Sequence, residues 1–189
     1  MRAIVAIGFA VFAAGALPPF VLPPANSQPL PATTDCDRYV EQWPYVNNDL
    51  AIQACESAVR QYPNSIRLIY QLGNAYRRGS NYSSAFVQYR KAADQGYAPA
   101  KDSLGVMYAN GYGVPRDYAK AAKWYCEAAD QGYASAQLSL GLLYDKGHGV
   151  PQNYGEALKW LRKAAEQGDG GAQFFLAVKY FWGEGVPQN

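Results

Sequence analysis

The 189-residue sequence predicts an all-α fold, a solenoid of stacked antiparallel helix pairs. Three observations predict it. First, the second half of the chain repeats with a period of 36 residues. Segments 98–115, 134–151 and 170–187 align position by position, and each ends on Gly-x-Gly-Val-Pro. Such periods mark arrays of one supersecondary unit stacked on itself. Second, the stretches between these segments carry apolar residues at helical spacing. In 118–131 they are Tyr118, Ala121, Ala122, Trp124, Tyr125, Ala128 and Ala129, which puts one apolar face on a helix. Third, the punctuation is helical: Asp117 and Asn153 stand where N-caps belong, and Gly132 and Gly168 follow the last periodic residues as stops.

Taken in chain order, residues 1–27 read as a secretory signal peptide. Met1-Arg2 supplies a positive start, and 3–17 carry no charge. Small-residue sites follow at Ala14-Gly15-Ala16 and Ala25-Asn26-Ser27. Cleavage after Ser27 removes the paired prolines Pro18-Pro19 and Pro23-Pro24; the alternative is an uncleaved membrane anchor. Residues 28–48 form a linker and a degenerate first helix near 35–42. Over 49–97 the spacing shortens to about 34, with Ala51, Cys55, Ala58 and Pro63 in one unit and Leu72, Gly73, Tyr76, Ala85, Tyr89 and Ala92 in the next. Residues 98–189 hold three units, the last stopping at Asn189 before a second helix. Either the chain is a fragment or helix 171–182, with Phe174, Phe175, Phe181 and Trp182, caps the stack.

Segments 98–189 resemble Sel1-like repeats, in which two antiparallel helices are joined by a Gly-x-Gly-Val-Pro loop. Segments 32–97 resemble tetratricopeptide repeats, the first of them degenerate. The resemblance implies a right-handed α-solenoid whose concave groove holds a protein or peptide partner. By helix phase, the groove residues are Tyr70, with Arg67 extending the row; Asp102, Val106 and Asn110; Leu138, Leu142 and Lys146; and Phe174 and Phe181. Tyr76, Tyr108, Tyr144 and Tyr180 recur at one position and Tyr82, Tyr118 and Tyr154 at another, which marks both sets as packing. Small residues such as Gly105 and Gly141 let paired helices approach, with Tyr108 and Tyr144 filling the gap alongside. The loop-tip residues Tyr112, His148 and Glu184 vary between units and are expected to face solvent. In the repeat frame Cys36 and Cys55 fall on facing helices of one hairpin, where a disulfide is geometrically reasonable and suits an exported chain. Cys126 aligns with Arg90 and Arg162, an exposed type of position, and is left without a partner.

Composition narrows the function classes. A net charge of +2, with no long charge run, argues against nucleic acid. One His excludes a multi-His metal site within the chain, and no metal or cofactor is expected. The Gly-x-Gly loops lack the preceding strand of a dinucleotide fingerprint and read as turns. His148, the sole acid–base His, has no orienting partner or nucleophile in the sequence. The expected function is therefore a non-catalytic interaction scaffold in the cell envelope, in the bacterial periplasm by resemblance. Membrane contact is expected only through the N-terminal segment. One alternative is an enzyme acting on cell-wall or β-lactam substrates, as reported for exported cysteine-rich Sel1-like proteins. Those carry a Cys pair per repeat, which this chain does not. The other alternative is a structural segment of a larger assembly.

Overall fold

The computed structural model describes residues 34–41 and 47–184; the signal peptide expected over 1–27 lies outside the described residues. Within them the chain is helical throughout, without strands. The helices are α1 (Asp35–Glu41), α2 (Asn48–Gln61), α3 (Ile66–Arg78), α4 (Tyr82–Asp94), α5 (Ala98–Asn110), α6 (Tyr118–Ala129), α7 (Ala134–Lys146), α8 (Tyr154–Glu166) and α9 (Gly170–Trp182). Each packs on the next, and α1 also reaches α3. The odd-numbered helices are the first members of the pairs and the even-numbered ones the second, so the chain is a stack of hairpins. None of the described helices is long and apolar enough to cross a membrane.

Local chemistry sets the helix starts. Side chains of Asn47, Ser65, Asn81, Asp117, Asn153 and Asp169 each accept a hydrogen bond from a first-turn amide. This satisfies donors that a helix N-terminus leaves unpaired. Asn153 and Glu156 have the spacing of a reciprocal capping box, of which half is made: the Glu156 amide donates to Asn153 Oδ1 at 3.1 Å, while the Glu156 carboxylate turns to Lys159. Helices α5 and α7 lack a side-chain cap and begin directly after Tyr97 and Tyr133.

Within each hairpin the two helices meet at a glycine. A Cβ on Gly73 would lie 2.6 Å from the Tyr89 ring, and one on Gly105 would lie 2.5 Å from the Tyr125 ring. The ring that fills the gap therefore comes from the second helix of the pair; it is not Tyr108, as the repeat pattern led one to expect. At the α7–α8 hairpin a Cβ on Gly141 would meet the Leu161 side chain at 3.0 Å and the Ala157 carbonyl at 3.2 Å.

The Gly-x-Gly loops join the two helices of a pair and lie against the unit before. Gly113 and Gly149 have φ of +69° and +72°, and a Cβ there would lie 2.7 Å and 2.2 Å from the backbone of Tyr82 and Tyr118. Only glycine suits both the left-handed backbone and the close approach. The middle residues exploit that closeness. Tyr112 stacks on Tyr82 at 4.8 Å with 12° between planes, and His148 lies 4.7 Å from Tyr118. Both tips are exposed, as expected, yet each lays one ring face against the preceding unit.

At the N-terminal end Cys36 and Cys55 are bonded, tying α1 to α2 with both residues fully buried. Closing a loop of this size restricts the unfolded chain by on the order of 3 kcal/mol. At the other end of the described residues Phe174, Phe181 and Trp182 on α9 stand exposed.

Candidate functional site

The first helices form one continuous face, and its polar chemistry is organised by three carboxylates, each with an oxygen buried from water: Asp37, Asp102 and Asp145. Each joins one first helix to the next. Asp37 on α1 takes the Arg67 guanidinium of α3 at 2.5 Å. Burial alone would raise the Asp37 carboxyl, but bonds from the Thr34 amide and hydroxyl, both 2.8 Å, and from Arg67 outweigh it and hold it below the usual range. Asp145 on α7 pairs with the buried Lys179 of α9, which also pairs with Glu184. Burial would lower the Lys179 ammonium, but these two carboxylates hold it above its ordinary value.

The middle joint differs. Asp102 on α5 is 8% exposed; its Oδ2 accepts from the Ser135 hydroxyl of α7 at 3.1 Å, and its Oδ1 has no partner. Burial pushes its carboxyl up to about 6, with the Ser135 bond pulling the other way, and no cation contributes. Around it stand phenols. Burial pushes Tyr133 up to about 12, reinforced by Tyr70, Asp102 and Tyr97, so these three groups lie within electrostatic reach of Tyr133. Tyr70 and Tyr97 meet edge-on at 5.2 Å, and Tyr70 and Tyr89 at 5.7 Å. Tyr97 is raised by burial and by Tyr70, with Arg67 opposing.

The other expected groove residues divide into two sets. Val106 packs on the core cluster built around Tyr125 and Trp160, and Leu138 on the cluster around Leu161; Leu142 is half-buried. Asn110 and Lys146 are exposed in the last turns of α5 and α7, where Asn110 Nδ2 donates to its own helix at the Val106 carbonyl. Phe174 and Phe181 are 64% and 77% exposed. Tyr97 and Tyr133 did not emerge from helix phase because they precede their helices. Their signal is the Gln-Gly-Tyr triplet at 95–97 and again at 131–133.

A cleft of about 510 Å³ lies between α4, α5 and α6, lined by Arg90, Lys101, Tyr108, Lys123, Trp124 and Glu127. Its cations are largely engaged: Arg90 with Asp94, Lys101 with Glu127, and Lys120 with Asp117. Arg90 also covers the Trp124 ring at 5.1 Å. Cys126 is a half-buried free thiol facing Asp130; burial and the carboxylates of Asp130 and Glu127 push its pKa up, which keeps it a weak nucleophile.

The Sel1 repeat family matches residues 68–97, 98–133, 134–169 and 171–189. The match thus begins one unit upstream of the first 36-residue segment. Among solved structures, the chain is 39% identical to c5321, a protective antigen present in uropathogenic Escherichia coli strains and displaying an SLR fold. That alignment has a TM-score of 0.66 and covers 76% of this chain and 30% of that one. A Sel1 repeat protein from Oxalobacter formigenes is 33% identical, with TM-score 0.66, over 75% of this chain and 63% of that one. Helicobacter pylori cysteine rich protein B is 26% identical, with TM-score 0.57, over 66% and 96%. The chain therefore spans less than two thirds of the first two of these relatives. A search of curated proteins finds no match.

Proposed function

This chain belongs to the Sel1 repeat family, and from that premise we propose that it is a non-catalytic scaffold of the cell envelope that holds a protein partner along its first-helix face. Sel1-repeat proteins generally act as protein–protein interaction scaffolds. The observation that carries the reading here is the row of half-buried tyrosines Tyr70, Tyr97 and Tyr133, which runs across three successive first-helix units beside Asp102. Tyrosine offers large rigid contact area with a hydroxyl at its tip, and it is enriched among residues that dominate binding energy. Stacked helices hold the row in place before any partner arrives, so little ordering cost falls on this side. Export is supported by the Cys36–Cys55 bond, since such bonds persist in oxidising compartments.

The test is cross-linking capture from native envelope extract, wild type beside a Lys146→Glu, Phe174→Asp, Phe181→Asp triple variant. All three positions are exposed, so the helical fold stays intact and circular dichroism checks it. Loss of an enriched protein in the variant is the expected result. Equal capture by both removes the first-helix face as the binding surface.

One observation favours a second reading, a structural segment of a larger assembly: the uncovered aromatic end of α9 with Phe174, Phe181 and Trp182. Light scattering separates the two, because that reading requires mass to rise with concentration.

A further inference from the structure

Buried charges in proteins are paired, because an isolated ion away from water is costly. Two of the three joints on the first-helix face obey this rule with their own side chains. Arg67 reaches in from a site where it stays 34% exposed to meet an Asp37 carboxylate that is 2% exposed. Lys179 does the same for Asp145. The repeat frame set by Gly73, Gly105 and Gly141 places Ser135 at the position that Arg67 holds two units earlier. So where α3 presents a guanidinium to Asp37, α7 presents only a hydroxyl to Asp102. The groups facing Asp102 are Ser135 at the start of α7, Tyr133 directly before it and Tyr125 from α6, with Tyr70 of α3 and Tyr97 at the start of α5 standing against Tyr133. None of them carries positive charge at neutral pH, and Oδ1 has no hydrogen-bond partner.

We propose that the middle joint of the first-helix face receives an arginine or lysine side chain of the bound partner, which supplies the cation that α7 lacks and takes Asp102 as its counter-ion. The inference rests on the scaffold reading and names the chemistry of what is held. Arg67 and Lys179 show that a long basic side chain can enter this layer and find a carboxylate there. The phenols Tyr70, Tyr97 and Tyr133 suit the same guest, since aromatic faces attract a cation and help desolvate its stem. Linkage adds a signature. Proton and guest compete for one carboxylate, so affinity rises with pH until Asp102 is fully ionised. With a carboxyl that titrates at about 6, the change from pH 5 to pH 7.5 is about 10-fold.

The experiment titrates the full chain with the capped tripeptide Ac-Gly-Arg-Gly-NH2 and with its neutral counterpart Ac-Gly-Gln-Gly-NH2, followed by amide NMR at both pH values. The arginine peptide is expected to move resonances around Lys101–Ser103 and Tyr133–Ser135, with about 10-fold tighter binding at the higher pH, and the glutamine peptide to move none. Asp102→Asn is expected to abolish the response. Ser135→Arg, which transplants the geometry of the first joint, is expected to abolish it as well while lowering the Asp102 carboxyl into the ordinary range, read from its own side-chain resonance. An equal response to the glutamine peptide, or an arginine response that survives Asp102→Asn, overturns the proposal. So does a Ser135→Arg protein that still binds the arginine peptide. If both peptides fail while capture still depends on Lys146, Phe174 and Phe181, the scaffold reading stands and only the cation site falls.

Discussion

The first and middle joints of the first-helix layer solve the same problem in opposite ways. At α1–α3 a carboxylate is buried with a guanidinium, two bonds from Thr34 and a disulfide nearby. At α5–α7 a carboxylate is buried with one hydroxyl. The first arrangement favours the ionised acid and the second the neutral acid, so the two titrate in opposite directions from the ordinary value. The difference teaches that a repeat array can keep its hydrophobic register while redistributing charge. Gly73 under Tyr89 and Gly105 under Tyr125 make equivalent contacts, whereas the polar residues one turn away do not. The α1–α2 unit, which among the described residues packs on α3 alone, gains most from a closed ion pair. A central unit, packed on both sides, tolerates an unpaired acid.

The sharpest break of this comparison removes the cation from the first joint. Arg67→Met strands a buried Asp37 charge, and the loss of a partner in such a pair costs on the order of 3 kcal/mol. Urea unfolding should show that loss at pH 7. It should shrink towards acid, since the contribution of an Asp with lowered folded pKa is present above its unfolded pKa and fades as pH falls through the folded one. A loss that does not vary with pH would mean that Arg67 acts by packing its stem alone.

The middle joint should respond with the opposite sign. Asp102 has a folded pKa of about 6 against an ordinary 3.8, so the fold holds this proton more tightly than the unfolded chain does. Stability contributed by the neutral acid is complete below about 4, and it declines as pH rises through 6. Asp102→Asn mimics the neutral acid. It is expected to stabilise the protein at pH 7.5 by about 2 kcal/mol and to change little at pH 4. Destabilisation at both pH values would show that the carboxylate is paired after all.

The solenoid itself was legible because its determinants are periodic. The 36-residue repeat, the caps at Asp117 and Asn153 and the glycine stops each report on backbone, and backbone is what repeats. The Cys36–Cys55 bond followed from the same frame. The face was less legible, since helix phase fixes direction but not depth. Asp102, expected to face the groove, instead reaches from α5 to Ser135 of α7 and is sunk below the surface that Phe174 and Lys146 occupy. Tyr97 and Tyr133 escaped because they sit in turns, where a helical period carries no information. The source of the ring under each helical glycine was misassigned for a related reason: Tyr108 and Tyr125 both recur in apolar positions, and only packing decides which one lies over Gly105.

The smallest effect discriminates most finely. Ser135→Ala removes a single hydroxyl from a buried acid, and a neutral hydrogen bond contributes about 1 kcal/mol net. At pH 4, where Asp102 is protonated, the acid can turn its own proton to another acceptor, so the loss should fall below that. At pH 7.5 the ionised carboxylate has no other hydrogen-bond donor among the described residues, and losing Ser135 should raise its pKa further and cost more. The pH dependence of Ser135→Ala should therefore be steeper than that of the wild type. Arg67→Met also loses more at high pH than at low, but from a wild-type joint whose contribution grows with pH, whereas that of the middle joint falls with it. A Ser135→Ala loss as large at pH 4 as at pH 7.5 would mean that the hydroxyl holds the neutral acid and the ionised one alike, and the contrast between the joints would dissolve.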